Sequence, residues 1–389
     1  MKSSNLAICL LTVFIFSPSL FREPVLAQSV DSNTRDPLLP PFLNGELTPF
    51  RQRMLRESLD QLNKQAETLL KNKQPDQAFA LWYREIKLRH YLGTKEEIQS
   101  LGRVGKIAWD NNRSQDIKII ISKLQEVQEN LGTQKQLTPE NLTLLLQAYQ
   151  NVHSLDDLLV IQQMRLKLVE KNSPAEEEIL EGIGEVYLAK FDYTQAAQIY
   201  ESLVQNVESR SETLKESEYL AKLADIYEQN NQPQNAIINK EKLINTYTTN
   251  KQYDLLVNLL ISIGHDYEEL KNYPKASENY QNAFKLAWSL EYLGSSEEAL
   301  TDLANLYSKN QQFDYALTTY NSLIAVQKKS YNYYGLMQTY NKIGDIYVNN
   351  KQYTIALNYF QEGLKLAQTL KYQVDFFEDK IKKVQDNKN

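Results

Sequence analysis

One skeleton of eighteen residues is written three times at a step of forty. It stands as IGHDYEELKNYPKASENY at Ile263–Tyr280, LANLYSKNQQFDYALTTY at Leu303–Tyr320 and IGDIYVNNKQYTIALNYF at Ile343–Phe360. A unit this short cannot bury its own apolar face, so a chain that repeats it must stack the copies against one another. With Met337 as position 1, eight units are traceable, and position 8 is Ala66, Gly105, Leu146, Gly184, Ala224, Gly264, Ala304 and Gly344. Position 11 is Leu69, Ala108, Tyr149, Tyr187, Tyr227, Tyr267, Tyr307 and Tyr347. Position 20 is Ala78, Ile117, Leu158, Ala196, Ala236, Ala276, Ala316 and Ala356. Position 24 is aromatic at Trp82, Tyr200, Tyr280, Tyr320 and Phe360, and in the fifth unit it is Lys240.

Positions 4, 7, 8 and 11 share one face at helical period, as do 20, 24 and 27, so each unit predicts two antiparallel helices. NNKQY, KNQQF and LKNYP are the polar turns between them. Pro75, Pro233 and Pro274 stand where a second helix starts, a place that tolerates a missing amide donor. Thr48-Pro49, Thr138-Pro139 and Ser173-Pro174 read as N-caps with a first-turn proline, and Glu176 closes a capping box after Ser173. A small residue at 8 facing alanine at 20 lets the two backbones approach, with the rings at 24 and 11 filling the space beside them.

This small–aromatic–small–aromatic pattern resembles the tetratricopeptide repeat (TPR) family over about residues 50–370. The resemblance implies an all-α, right-handed α-solenoid of about eight helix pairs. Units two and three depart from the signature, with Ile117, Leu158, Ile121 and Gln162 replacing small and aromatic residues, and a local change in superhelix pitch is expected there. The repeat runs to about 40 residues instead of 34, which predicts lengthened helices. A capping helix is predicted at about 373–386, with Val374, Phe377, Ile381 and Val384 on one face. The single solenoid is placed at 48–389.

The first 27 residues differ in kind. Lys2 precedes the apolar run LAICLLTVFIF, and Val25–Ala27 reads as a small-residue cleavage signal, so a secretory signal peptide at 1–27 is expected. Residues 28–47, with Pro37, Pro40 and Pro41, read as a disordered leader. No transmembrane span is expected. The lone cysteine, Cys9, falls in the signal, so the exported chain has no thiolate metal site or disulfide; periplasm or a comparable extracytoplasmic lumen is the expected compartment. Without the signal the chain carries 41 Lys and Arg against 48 Asp and Glu. That mostly acidic body argues against nucleic acid as a partner, which needs a basic stripe.

No phosphate loop, dinucleotide fingerprint, HExxH or nucleophile elbow is present, and His90, His153 and His265 fall in different units. The expectation is therefore not an enzyme. In TPR stacks positions 2, 5, 9 and 12 of the first helix line the groove, and over eight units these hold twelve acids and one base, Lys106. The candidate partner-binding residues are Glu178, Glu181, Glu185, Glu218, Asp225, Glu228, His265, Glu268, Glu269, Asn305 and Asp345. Such a wall suits a basic or extended segment of a partner protein. A hard divalent cation on Glu185, Asp225 and His265 is the alternative occupant; otherwise no cofactor is expected. The expected function is an exported scaffold or assembly factor. Resemblance to the exported, processing-associated TPR proteins of oxygenic photosynthetic bacteria implies photosystem II biogenesis, a reaction-centre precursor as partner and manganese. A structural adaptor of a pilus or outer-membrane complex is equally compatible with the residues.

Overall fold

The computed structural model describes residues 36–39 and 47–388, so the expected signal peptide lies outside the described residues. Among them every regular element is a helix. They fall into two compact units that divide between Ile161 and Gln162, where a single array was expected. The first unit holds α1 (Pro49–Lys71), α2 (Pro75–Arg89), a 3₁₀ turn (His90–Leu92), α3 (Thr94–Asp110), α4 (Ser114–Thr133) and α5 (Pro139–Asn151). The division lies within α6 (Leu155–Leu166). Gln162 occupies position 24 of the third unit, so the break coincides with a missing ring, beside helices of only 13 and 12 residues.

The second unit holds α7 (Pro174–Ala189), α8 (Tyr193–Ser209), α9 (Thr213–Gln229), α10 (Pro233–Thr249), α11 (Tyr253–Glu269) and α12 (Tyr273–Ser289). It continues with α13 (Leu293–Lys309), α14 (Phe313–Lys329), α15 (Tyr333–Asn349), α16 (Tyr353–Leu370) and α17 (Val374–Lys388). From α8 to α15 every helix has 17 residues, and three residues separate each from the next. The forty-residue repeat is thus two near-identical steps of helix plus turn. Each turn places its middle residue in the left-handed region: Ser211, Asn231, Lys251, Lys271, Glu291, Gln311, Tyr331 and Lys351. After α11, Asn272 N–H donates to Tyr267 O (2.8 Å) and Lys271 N–H to Glu268 O (2.9 Å), a Schellman closure that satisfies the last carbonyls.

The expected caps form: Thr48, Thr138 and Ser173 side chains accept from the amides of Arg51, Asn141 and Glu176. The box at Ser173 closes one residue earlier than expected, because Glu176 Oε2 takes the Asn172 N–H (2.6 Å). The small residue at position 8 also has a more specific role than letting two backbones approach. A Cβ on Gly184, Gly264 or Gly344 would stand 2.7, 2.4 or 2.5 Å from the position-24 ring, of Tyr200, Tyr280 and Phe360 respectively. The glycine is the seat of the ring. Gly363 repeats the device for Phe377 of the capping helix α17, where Phe377 and Val384 are buried.

The position-11 tyrosines pack as core with their hydroxyls at its edge. Tyr227, Tyr267 and Tyr307 meet Glu201, Glu241 (3.1 Å) and Gln281 (2.9 Å), each 26 residues earlier. Of the segment read as a disordered leader, Asp36–Leu39 instead forms a docked turn. Arg84 clamps both Asp36 carboxylate oxygens (2.7 and 2.9 Å), and Leu38 and Leu39 pack on the cluster of Leu47, Leu55 and Leu59. No helix among the described residues is long and apolar enough to cross a membrane.

Candidate functional site

The expected site residues of the second unit lie on its first helices, α7, α9, α11, α13 and α15. Position 9 organises this wall. Glu185 accepts from Tyr200 Oη (2.9 Å) on its own second helix, and Lys222 of the next first helix stands 3.4 Å away. Asn305 is held the same way by Tyr320 Oη (3.2 Å) and Lys342 Nζ (2.6 Å). His265 Nε2 meets Asp302 Oδ2 at 2.9 Å, with the Tyr280 ring edge-on at 5.5 Å. The Asp302 hydrogen bond, and then the surrounding carboxylates, raise the imidazole above its ordinary pKa despite its partial burial. Positions 6 and 9 of successive first helices therefore meet rung by rung, 37 residues apart.

The fifth unit breaks the pattern. Lys240 replaces the ring, is buried, and reaches Glu228, Ser262 (2.6 Å) and Asp266 (2.6 Å). Asp266 is buried as well, and burial pushes its carboxyl up to about 6 against the pull of Lys240.

The expected lack of bases on this wall does not hold. Arg165 pairs with Glu178 (3.3 Å), Lys222 with Glu185, Lys240 with Glu228, Lys309 with Glu268 (2.8 Å) and Lys380 with Asp345. These bases stand at positions 6 and 13, on second helices and on the capping helix, and the four positions counted from sequence do not sample them. Glu181 takes the Tyr219 hydroxyl (2.5 Å). Among the described residues Glu218, Asp225 and Glu269 alone of the expected acids have no hydrogen-bonding or ion-pair partner. Crowding by the protein and then the Glu228 carboxylate raise the pKa of Asp225 against the pull of Lys240 and Lys222.

Two depressions lie between neighbouring first helices. One, of about 420 Å³, is lined by His265, Glu268, Glu269, Asp302, Asn305 and Lys309. The other, of about 260 Å³, includes Glu185, Leu188, Phe191, Lys222, Asp225 and Ile226. The three residues expected for a metal are thus divided between separate pockets. Among the described residues no group of three or more His, Cys, Asp or Glu side chains is placed to hold a metal ion.

Residues 338–370 match the family model of the tetratricopeptide repeat. That segment, from within α15 to the end of α16, is thus identified as a tetratricopeptide repeat. A 179-residue stretch is 24% identical to response regulator aspartate phosphatase E of Bacillus subtilis (strain 168), covering 45% of this chain and 48% of that protein. The chain thus spans about half the length of this curated relative. Among solved structures, the C-terminal part of a TPR repeat-containing protein from Cytophaga hutchinsonii aligns with TM-score 0.43 and 18% identity, over 69% of this chain and 96% of that one. The apo form of RapI aligns with TM-score 0.40 and 14% identity, over 84% and 97%. TPR stacks are surfaces for protein–protein interaction.

Proposed function

We propose that this chain is an exported, non-enzymatic TPR scaffold whose second unit binds an extended, basic segment of a partner protein along its first helices. One observation carries the reading. On a wall where most acids are tied to tyrosine, lysine or arginine, Glu218, Asp225 and Glu269 make no hydrogen bond or ion pair with a neighbouring side chain. Asp225 feels Lys240 and Lys222 only at longer range, so a cation of the partner in direct contact would add to their pull, and such charges also speed the encounter. The ion pairs along the rest of the wall hold the helices in register and leave those three positions among the contact points. A reaction-centre precursor and a pilus or outer-membrane component are the partners of the two narrower readings. Manganese has no three-ligand seat among the described residues, so the protein segment carries the proposal and the metal does not.

The test is a triple reversal, Glu218→Lys, Asp225→Lys and Glu269→Lys, assayed by capture from an envelope fraction and by circular dichroism. All three side chains are exposed, so helicity should be unchanged. Partner recovery should fall at least tenfold at about 0.1 M salt. Undiminished capture by the reversed protein would place the partner elsewhere.

A further inference from the structure

The pocket between α7 and α9 is built differently from the rest of the wall, and its composition names a side chain. The residue that follows each first helix in the left-handed region is Asn231, Lys271, Gln311 and Lys351 in four units. In the unit of α7 it is Phe191, with φ of 58° and 75% exposed. A bulky residue is disfavoured in that backbone conformation, and here the ring stays largely exposed, with an edge-on approach to Tyr193 at 6.4 Å as its ring contact. Phe191 shares the pocket with Leu188 and Ile226, which give it an apolar wall. On its polar side Glu185 is already met by Lys222 and Tyr200, whereas Asp225 makes no hydrogen bond or ion pair and feels Lys222 and Lys240 only at longer range.

We infer that this pocket takes an arginine side chain of the partner segment, its stem along Leu188 and Ile226, its guanidinium stacked on Phe191 and paired with Asp225. The inference rests on the proposed function and gives that partner a chemistry. An arginine fits better than a lysine because its planar, weakly hydrated head both stacks on a ring and forks onto a carboxylate. The charge alone would not call for Phe191; the ring alone would not call for Asp225.

The probe is a fluorescein-labelled peptide of about twelve residues with arginine at every third position, and matched peptides with lysine or uncharged citrulline. Binding to the full chain is read by fluorescence polarisation. Citrulline should bind at least tenfold more weakly than arginine, and lysine about threefold more weakly. Phe191→Ala should weaken the arginine peptide two- to fivefold, as expected for a solvent-exposed cation–π contact. Phe191→Tyr should restore it, and Asp225→Asn should cost about tenfold. Phe191 is exposed, so these variants should keep wild-type helicity. If the triple acid reversal abolishes binding while Phe191→Ala changes nothing, or if citrulline equals arginine, the arginine pocket is wrong. If no arginine peptide binds the native chain, the groove reading falls with it.

Discussion

Replacing Lys240 with methionine keeps the length of the side chain and removes its charge, which isolates the buried ion cluster of the fifth repeat. Lys240 and Asp266 are each 3% exposed, and Lys240 Nζ donates to Asp266 and Ser262 at 2.6 Å and to Glu228. Removing one partner of a buried pair costs about 3–5 kcal/mol because the other charge is left uncompensated. The size should depend on pH. Burial raises the Asp266 carboxyl to about 6, so the folded state holds this proton more tightly than the unfolded one, whose value is 3.8. The Asp266 contribution to stability therefore falls as pH rises from about 4 to 6, and above 6 the ionised group leans on Lys240. Without the lysine the carboxyl moves further up, and each further unit adds about 1.4 kcal/mol to the loss at high pH.

The Lys240→Met variant should thus lose about 3–5 kcal/mol at pH 8 and roughly half of that at pH 5, where Asp266 is neutral. A second variant, Lys240→Met with Asp266→Leu, should recover most of the loss at pH 8, since a well-packed apolar replacement of a buried pair is often neutral. Native-state hydrogen exchange of α10 and α11 is the appropriate assay, because a repeat array opens locally and a single melting midpoint averages over that. Equal losses at pH 5 and pH 8, or a double variant no more stable than the single one at pH 8, would refute the reasoning.

Two further outcomes follow from the repeat itself. Gly264→Ala should destabilise the second unit by about 1–3 kcal/mol in urea unfolding, since its Cβ would sit 2.4 Å from the Tyr280 ring, while Gly294→Ala, with nothing within 4 Å, should not. Lys251→Gly should raise stability by about 1 kcal/mol, because φ of 55° strains a residue with a Cβ and suits glycine; a melting temperature unchanged or lowered would show the turn is not strained.

The helices were legible in the residues because the signal was local and repeated. Period, turn polarity, the caps at Thr48, Thr138 and Ser173 and the capping helix all depend on neighbours within a few positions, and they appear where the pattern places them. The lapses at Gln162 and Lys240 were also visible, but not their consequences. One marks the division between two compact units; the other became a buried ion cluster. The acid-rich wall was legible only in part, because counting four positions of one helix leaves out what arrives from other helices.

Sequence alone determined the repeat, its two-helix unit and which residues face a neighbour, since these follow from side-chain period and backbone propensity within one unit. Tertiary structure decided which charges remain. Lys222, Lys342 and Lys309 meet acids or amides 37 to 41 residues earlier, and a contact of that span exists only once successive units are stacked. Electrostatic pairing depends on distance in space, and it is the stack that sets those distances.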